Sequence, residues 1–530
     1  MAGREISTRT MVVGVLAITL IFLALRGYDA SQRTLISHDS AITILSATGN
    51  QIAFGSLDAM GLTDRWVDMA AFGFLRDPAP GLDFAAVREG LVLSDIHPPL
   101  YFYALHLWQA LFGQAFSTLL YLNVLIGAAC VVATGVLSRM ILGQTTTALI
   151  ATAFFAASPF FLGPVQGVLR QYELLQFCTA LSAIGWVGFL KSETRGARWR
   201  YLALIVAAQT AGLLTQIQFV FIIASACLAA LLIRELRPRG FLMLTGAAIA
   251  SGLAFLALHP EIFDQIARQQ SQVHDVSTAD AVARALRVSR SFLEVFGLSR
   301  PASDPIAAMG LGLLLFGLLL WLGLRVARRW RGLGIAPWAA FLCLTAAIAV
   351  AGSIAQFALY LVPQHAMGGR YFLLFWPLAA VAFVAALTSL SRGISTAVLG
   401  LAALAILTEN AWRVAEAQAT YRYGNEVTQT VAGARAIYTD TTARGLLPRV
   451  VLSASPDAQI YIDTKNGTAE TLGALLEAQP EIDLFITTTF YKPDASIVFQ
   501  RRAMIEEKHG SALTTRRTLG LRYQSVKTED

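Results

Sequence analysis

The chain has 530 residues, of which 55% are hydrophobic and only 14% charged. A soluble domain carries about 25% charged residues, so an ordinary soluble enzyme is excluded. The composition points to a polytopic α-helical membrane protein, since only helices or closed barrels satisfy their backbone groups in lipid. The net charge of +7 is no sign of a nucleic-acid partner, because the Arg residues sit in short loops between apolar runs, the positive-inside pattern.

The first apolar run, Met11 to Leu25, follows Arg4 and Arg9. Ala24-Leu25-Arg26 does not look like a small-residue cleavage site, so the run reads as a retained first span. A polar segment, 27–116, comes next, in which Tyr28 to Asp95 holds nine acids and four Arg. It carries a His38-Asp39 pair and the stretch Asp95-Ile96-His97-Pro98-Pro99. Pro98-Pro99 suits the first turn of a helix. The helix that follows, to about Phe112, would reach roughly 22 Å, short of a bilayer core of about 30 Å. Its Tyr, Phe, Trp and His residues favour the membrane interface, and it is expected to lie in the outer leaflet.

Further apolar runs cover 117–138, 143–163, 172–190, 201–233, 241–258, 306–324, 336–361, 371–390 and 395–409. As one helix, 201–233 would reach about 50 Å; Thr215-Gln216-Ile217-Gln218 interrupts it, and splitting it there gives about eleven spans. With the split, Arg139, Arg392 and the basic loops 191–200, 234–239 and 325–331 all fall on the side of the N-terminus, which is then cytoplasmic. The outer loops are 27–116, 164–171, the Gln216 break, 259–305, 362–370 and everything after about 410. The four Cys are scattered inside apolar runs and read as small core residues.

From about 410 the composition changes. A helix-like 423–443 precedes a strand-like Arg449 to Ala454, a helical 468–478 and a strand-like Ile482 to Phe490. Residues 411–530 are therefore expected to form a small soluble α/β domain outside the membrane, and 1–410 the membrane domain. No P-loop, dinucleotide fingerprint or repeat is visible.

His38, Asp39, Asp95, His97, Arg170, Tyr172, Gln216, His259, Glu261, His365, Arg370 and Tyr371 all fall on the outer face, while span interiors carry essentially no Asp, Glu, Lys or Arg. Ion-coupled transporters need such groups near mid-depth, so the pattern favours an active site at one membrane face. Each of these residues also has a structural reading. Asp39 would cap a helix over Ser40 to Ala47. His97 would cap or pack before Pro98. Arg170 and Arg370 would be snorkelling anchors, and Tyr172 and Tyr371 interface aromatics. Asp95 would be a solvated acid or a partner orienting His97. His106 and Trp108 would pack, and His259 and Glu261 would be solvated or line an acceptor groove.

The segment Asp95 to Gly113 (DIHPPLYFYALHLWQALFG) resembles the signature of GT-C membrane glycosyltransferases. Within them it is most similar to bacterial relatives of protein O-mannosyltransferases and lipid A aminoarabinose transferases. Three further features match: an acidic residue early in the first outer loop (His38-Asp39-Ser40), Ser158-Pro159 followed by Arg170-Gln-Tyr172, and Gly369-Arg370-Tyr371 opening a late span. The resemblance covers roughly 10–410. It implies transfer of a sugar from a polyprenyl-phosphate donor to an envelope acceptor (lipid, polysaccharide or protein) outside the cytoplasm, in the bacterial inner membrane. It makes Asp39 the catalytic carboxylate. Many members carry Asp-Glu at this place, and Ser40 here puts in doubt any role that needs two adjacent carboxylates, including tight metal binding. A divalent cation, with Asp39 as ligand, is the one cofactor left open. In this scheme Asp39 is the base for the acceptor hydroxyl, and Arg170 and Arg370 hold the donor phosphate. His97, Tyr172 and Tyr371 bind donor or acceptor, supported by His38, Asp95 and Glu261. The expected chemistry is direct displacement with inversion. The competing reading is a transporter or flippase of lipid-linked sugar, which would place polar groups on both sides and at mid-depth. A non-catalytic scaffold would leave the His-Pro-Pro segment unexplained.

Overall fold

A computed structural model of the protein describes residues 2–75, 77, 81–95, 97–158, 168–233, 238–270, 310, 317, 321, 325, 337–360, 369–388, 392–440, 447–464, 484–488, 513–518 and 521–526. The first run extends into one 31-residue helix, α1 (Ala2–Gln32). α2 (His38–Thr48) starts where Ser37, in extended conformation, accepts from the Ser40 amide. It stops at Gly49, whose φ of 81° suits glycine. α3 (Gln51–Gly55), the strand β1 (Trp66–Asp68), a 3-10 stretch (Met69–Leu75) and α4 (Phe84–Ser94) follow. α5 (Leu100–Phe112) begins directly after Pro98-Pro99.

α6 (Phe116–Leu142), α7 (Thr145–Ala156) and α8 (Tyr172–Lys191) come next. α9 (Arg195–Thr215) and α10 (Val220–Leu232) are separated at Gln216 by a 3-10 turn, the break expected within 201–233. Phe219 folds back onto Gly212, where a Cβ would sit 2.6 Å from its ring carbons, so only glycine lets this turn close. α11 (Arg239–Leu258), α12 (Ile262–Gln270), α13 (Pro337–Tyr360), a 3-10 stretch (Gly369–Phe375), α14 (Trp376–Leu387) and α15 (Arg392–Gly433) complete the helical part. The expected run at 306–324 lies largely outside the described residues.

The chain divides into two units, the first made of residues 1–32, 95–101 and 120–419. In it α8 packs on α9, α9 on α11, α11 on α10, α10 on α13, α13 on α14 and α14 on α8, a closed circuit of neighbours. Its core is aromatic at key points: Trp186 meets Phe341 edge-on at 6.1 Å, and the Trp376 indole N–H donates to the Phe155 carbonyl at 3.1 Å. The outward faces are equally apolar. Val12, Val13, Leu16, Leu20 and Ile21 on α1, Leu242, Ile249 and Leu253 on α11, and Leu401, Leu404 and Leu407 on α15 are all exposed. Bands of this extent have no counterpart on soluble monomers; a bilayer covers them. Five described helices are long and apolar enough to cross a membrane, and four shorter apolar ones accompany them. This is a multi-pass helical membrane protein.

The second unit comprises 33–94, 102–119 and 420–530. β2 (Ala436–Asp440), α16 (Leu447–Ser453), β3 (Gln459–Asp463), β4 (Leu484–Thr488), β5 (Leu513–Thr518) and β6 (Leu521–Val526) follow α15. The sheet order is β1-β3-β2-β4-β6-β5. β2 pairs parallel with β3 and β4, while β1–β3, β4–β6 and β5–β6 are antiparallel. β1 belongs to the first polar segment, so this sheet joins two distant stretches of sequence. Asp64 locks the junction. At φ 54°, a conformation Asp tolerates, its carboxylate accepts from the Thr464 amide (2.8 Å) and hydroxyl (2.6 Å).

Two local expectations are corrected. The strand expected at 449–454 is part of the helix α16: Leu447, Val450, Val451 and Ala454 are buried, the i, i+3, i+4, i+7 spacing of a helix face, which a short apolar run hides. The helix expected over 423–443 ends at Gly433 and gives way to β2. The strand near 482–490 is present as β4, and the helical stretch at 468–478 lies outside the described residues.

Leu45, Leu57, Val67 and Phe72 from the early segment share one core with Val431, Ile437, Val451 and Ile460 from the late one. Ile460 is fully buried and pairs with both Val67 and Ile437. Ile460→Ala should cost about 2–5 kcal/mol. Limited proteolysis of the variant is expected to open sites in 33–94 and after 433 together; opening of the late segment alone would contradict a shared core.

Candidate functional site

Asp39 lies in the second unit, in the first turn of α2. Ser37 is the N-cap, so His38, Asp39 and Ser40 occupy the first three helical positions. The capping bond is the one from the Ser40 amide to Ser37 Oγ at 3.1 Å. Capping therefore does not call on the Asp39 carboxylate, which is half-buried and gains from the helix dipole. Thr43 donates to the Asp39 carbonyl at 2.8 Å. Ser40 is fully buried and its hydroxyl lies 2.9 Å from that of Ser37. The other end of α2 is tied by His106, whose Nδ1 lies 2.7 Å from the Ala47 carbonyl oxygen. The entry to α2 is tied by Thr34, which donates to Asn425 at 2.7 Å, and by Arg33, stacked over Tyr421 at 5.8 Å. Trp108 donates to the Thr118 carbonyl at 2.8 Å, so His106 and Trp108 both serve packing. The side chain of His38 lies outside the described residues.

The remaining candidates lie in the first unit. Asp95 and His97 form a compact pair: Asp95 Oδ1 is 2.6 Å from His97 Nδ1 and also accepts from the His97 amide at 3.3 Å. The carboxylate thus fixes the ring just before buried Pro98 and Pro99. Arg170 is half-buried immediately ahead of α8, and Tyr172, buried, opens that helix. Arg370 and Tyr371 lie in the 3-10 stretch before α14, with side chains outside the described residues, as is His365. Glu261, ahead of α12, is 3.5 Å from Nδ1 of fully buried His259, with 31% of its side chain exposed. His259 Nε2 lies 2.8 Å from Gln265 Oε1.

Beside Arg170 the structure brings together residues the sequence reading passed over. Arg26, in the last turns of α1, lies 3.4 Å from Asp29 and 3.5 Å from Glu173. Asn123 of α6 donates to Glu173 at 3.1 Å and to the Arg170 carbonyl at 2.9 Å. Tyr101 of α5 donates to Asn123 Oδ1 at 2.7 Å. All five side chains are buried. The signal was available: Arg26 and Asp29 continue an apolar helix, and Glu173 directly follows Tyr172. Ionisable residues within membrane helices are functional candidates by default.

Among the described residues no three His, Cys, Asp or Glu side chains are grouped as a metal site requires, and the neighbour of Asp39 is a serine turned to Ser37.

No protein-family model and no curated protein sequence matches the chain. Among solved structures, ArnT from Cupriavidus metallidurans bound to undecaprenyl phosphate is similar, with TM-score 0.51 and 12% identity over 97% of each chain. Its apo state gives 0.50 and 12% over the same shares. The apo oligosaccharyltransferase of Archaeoglobus fulgidus gives 0.47 at 12% identity, covering 98% of this chain and 75% of that one. At such identity the likeness to ArnT is one of fold alone.

The division of labour at α2 is testable on the purified protein. Ser37→Ala should cost about 1 kcal/mol and lower the melting temperature. Asp39→Asn leaves the bond from the Ser40 amide to Ser37 in place and should lower the melting temperature less than Ser37→Ala does. A larger loss for Asp39→Asn than for Ser37→Ala would return Asp39 to a structural role.

Proposed function

We propose that the protein is a glycosyltransferase that moves a sugar from a polyprenyl-phosphate donor to an envelope lipid, polysaccharide or protein, at the outer face of a bacterial cytoplasmic membrane. The observation that carries this reading is the likeness of fold, over 97% of both chains, to ArnT bound to undecaprenyl phosphate. Sidedness is supported within the first unit. Arg26, Asn123, Arg170 and Glu173 gather where α1 ends and α6 and α8 begin. At the far end of α6 and α8, Lys191 donates to the Met140 carbonyl at 2.8 Å and stacks over Trp338 at 4.9 Å, and the basic residues of 195–200 follow. The basic end is the cytoplasmic one by the positive-inside rule, which leaves the Arg170 end outside.

The residues suit the chemistry. The acceptor oxygen attacks the anomeric carbon while the bond from that carbon to the phosphate oxygen breaks with inversion. Asp39 takes the acceptor proton. The departing polyprenyl phosphate keeps the bonding electrons, and its growing charge is met by Arg170 and Arg370, whose planar guanidinium groups form paired hydrogen bonds to phosphate. His97, its ring held by Asp95, hydrogen-bonds phosphate or acceptor through Nε2. Tyr172 and Tyr371 flank the two arginines in sequence and line the same substrates. Glu261 and His38 support the acceptor side.

The test is sugar transfer by purified protein, with polyprenyl-phosphate sugars and envelope extracts as substrates. Asp39→Asn should lower turnover by a factor of about 100 to 10,000 in a protein that folds normally. Equal transfer by both proteins would remove Asp39 as base and move that role to Asp95 or Glu261. No transfer from any donor by folded wild type would overturn the enzyme reading in favour of transport. A chelator arm reads cation dependence in the same assay.

A further inference from the structure

The cluster Arg26–Asp29–Glu173–Asn123–Tyr101 takes no part in the chemistry above, yet it is the most heavily charged buried group among the described residues of the first unit. Four helices meet in it: α5 at Tyr101 and α8 at Glu173, each in its first turn, α6 at Asn123, further along that helix, and α1 at Arg26, towards its end. Burying an ion pair is a poor way to gain stability, since well-packed apolar residues of the same volume often do as well or better. What such a group supplies is geometry: each member is fixed by partners of set direction.

Asn123 is the centre of that geometry. Its Oδ1 accepts from Tyr101, one N–H goes to Glu173, and the other goes to the backbone carbonyl of Arg170. The helical ladder of α8 starts one residue later, where the Gln171 carbonyl accepts from the Leu175 amide at 3.0 Å. Arg170 therefore sits just outside the helix, and its carbonyl is taken by a side chain of another helix.

We propose that Asn123, clamped by Tyr101 and by Glu173, which Arg26 holds in turn, is the positioning residue for Arg170. It fixes the backbone from which the Arg170 guanidinium reaches the phosphate of a lipid carrier. This rests on the role given above to Arg170, and the experiment separates the two.

The probe is undecaprenyl phosphate, and the measurement is its binding to the purified full-length protein in nanodiscs. Arg170→Ala should weaken binding about tenfold or more, and Asn123→Ala about five- to tenfold. If Asn123 acts through Arg170, the double variant binds within about twofold of Arg170→Ala alone, because coupled residues do not add. Should Asn123→Ala fail to fold, Tyr101→Phe, which removes one hydroxyl and keeps the ring, runs the same cycle with an effect of about threefold. Effects that multiply fully, or an Asn123→Ala or Tyr101→Phe protein that binds like wild type while Arg170→Ala does not, would overturn the positioning role. Unchanged binding in Arg170→Ala would overturn the phosphate role of Arg170 itself, and the inference with it.

Discussion

A guanidinium cannot shed its proton, and in this chain one sits on a helix that also carries a band of exposed apolar residues. Arg26 follows Leu16, Leu20, Ile21 and Leu25, all of them exposed on α1. Its charge has to be answered inside the protein, because removing one partner from a buried pair leaves an uncompensated charge at a cost of about 3–5 kcal/mol. Asp29 answers it one turn further along, and Glu173 from another helix. That second contact sets where α8 begins relative to the end of α1. The helix dipole agrees with the placement of Glu173, which sits in the first turn of α8, where negative charge is favoured. Depth, register and polarity of these helices are thereby tied to one another, and Arg170 is carried along at the edge of the same group.

The second unit obeys a different constraint. The early polar segment and the late one share a single core, in which Leu45, Leu57 and Phe72 cluster with Val431, Val450 and Ile460. β1 has only three residues, and a strand that short persists when a neighbour supplies its hydrogen bonds and Asp64 pins its entry to Thr464. The helix bearing Asp39 grows from this composite, tied at its entry by Asn425 and Tyr421. The late strands thus form part of the platform on which the early loop is built.

These two constraints explain what was readable in the sequence. Long apolar runs and the Thr215–Gln218 interruption were legible because hydropathy and helix length act locally. The resemblance to GT-C enzymes rests on one dense motif, Asp95 to Gly113. β1 was not, because three residues have no periodicity and their partner lies nearly 400 positions away. α16 reads as a strand because three adjacent apolar residues, Val450 to Leu452, fit either element until burial shows which face is used. The Arg26 cluster escaped because its members are dispersed over nearly 150 positions: each looks like a loop-edge polar residue alone, and only packing makes them one group. Arg370, Tyr371 and His38 were singled out by motif, with side chains outside the described residues.

The serine at position 40 has a physical reason in this frame. Many relatives in the resembled family carry a second carboxylate there. In this chain that position is the third residue of α2, fully buried, with its hydroxyl against the capping Ser37. A glutamate in the same slot would bring an ionised group into a space that holds a hydroxyl, and burying a charge without a cationic partner costs far more than burying a hydrogen-bonded hydroxyl. Ser37 could not offset it, since one hydroxyl supplies a single donor and the Ser40 amide already occupies an acceptor site on it. The first turn of α2 carries one carboxylate, at the half-buried position 39. Under the proposed transfer, a donor that already bears a phosphate leaving group asks for one base and no strong acid, which a single carboxylate would supply. The local sequence Ser37-His38-Asp39-Ser40 is consistent with both demands at once.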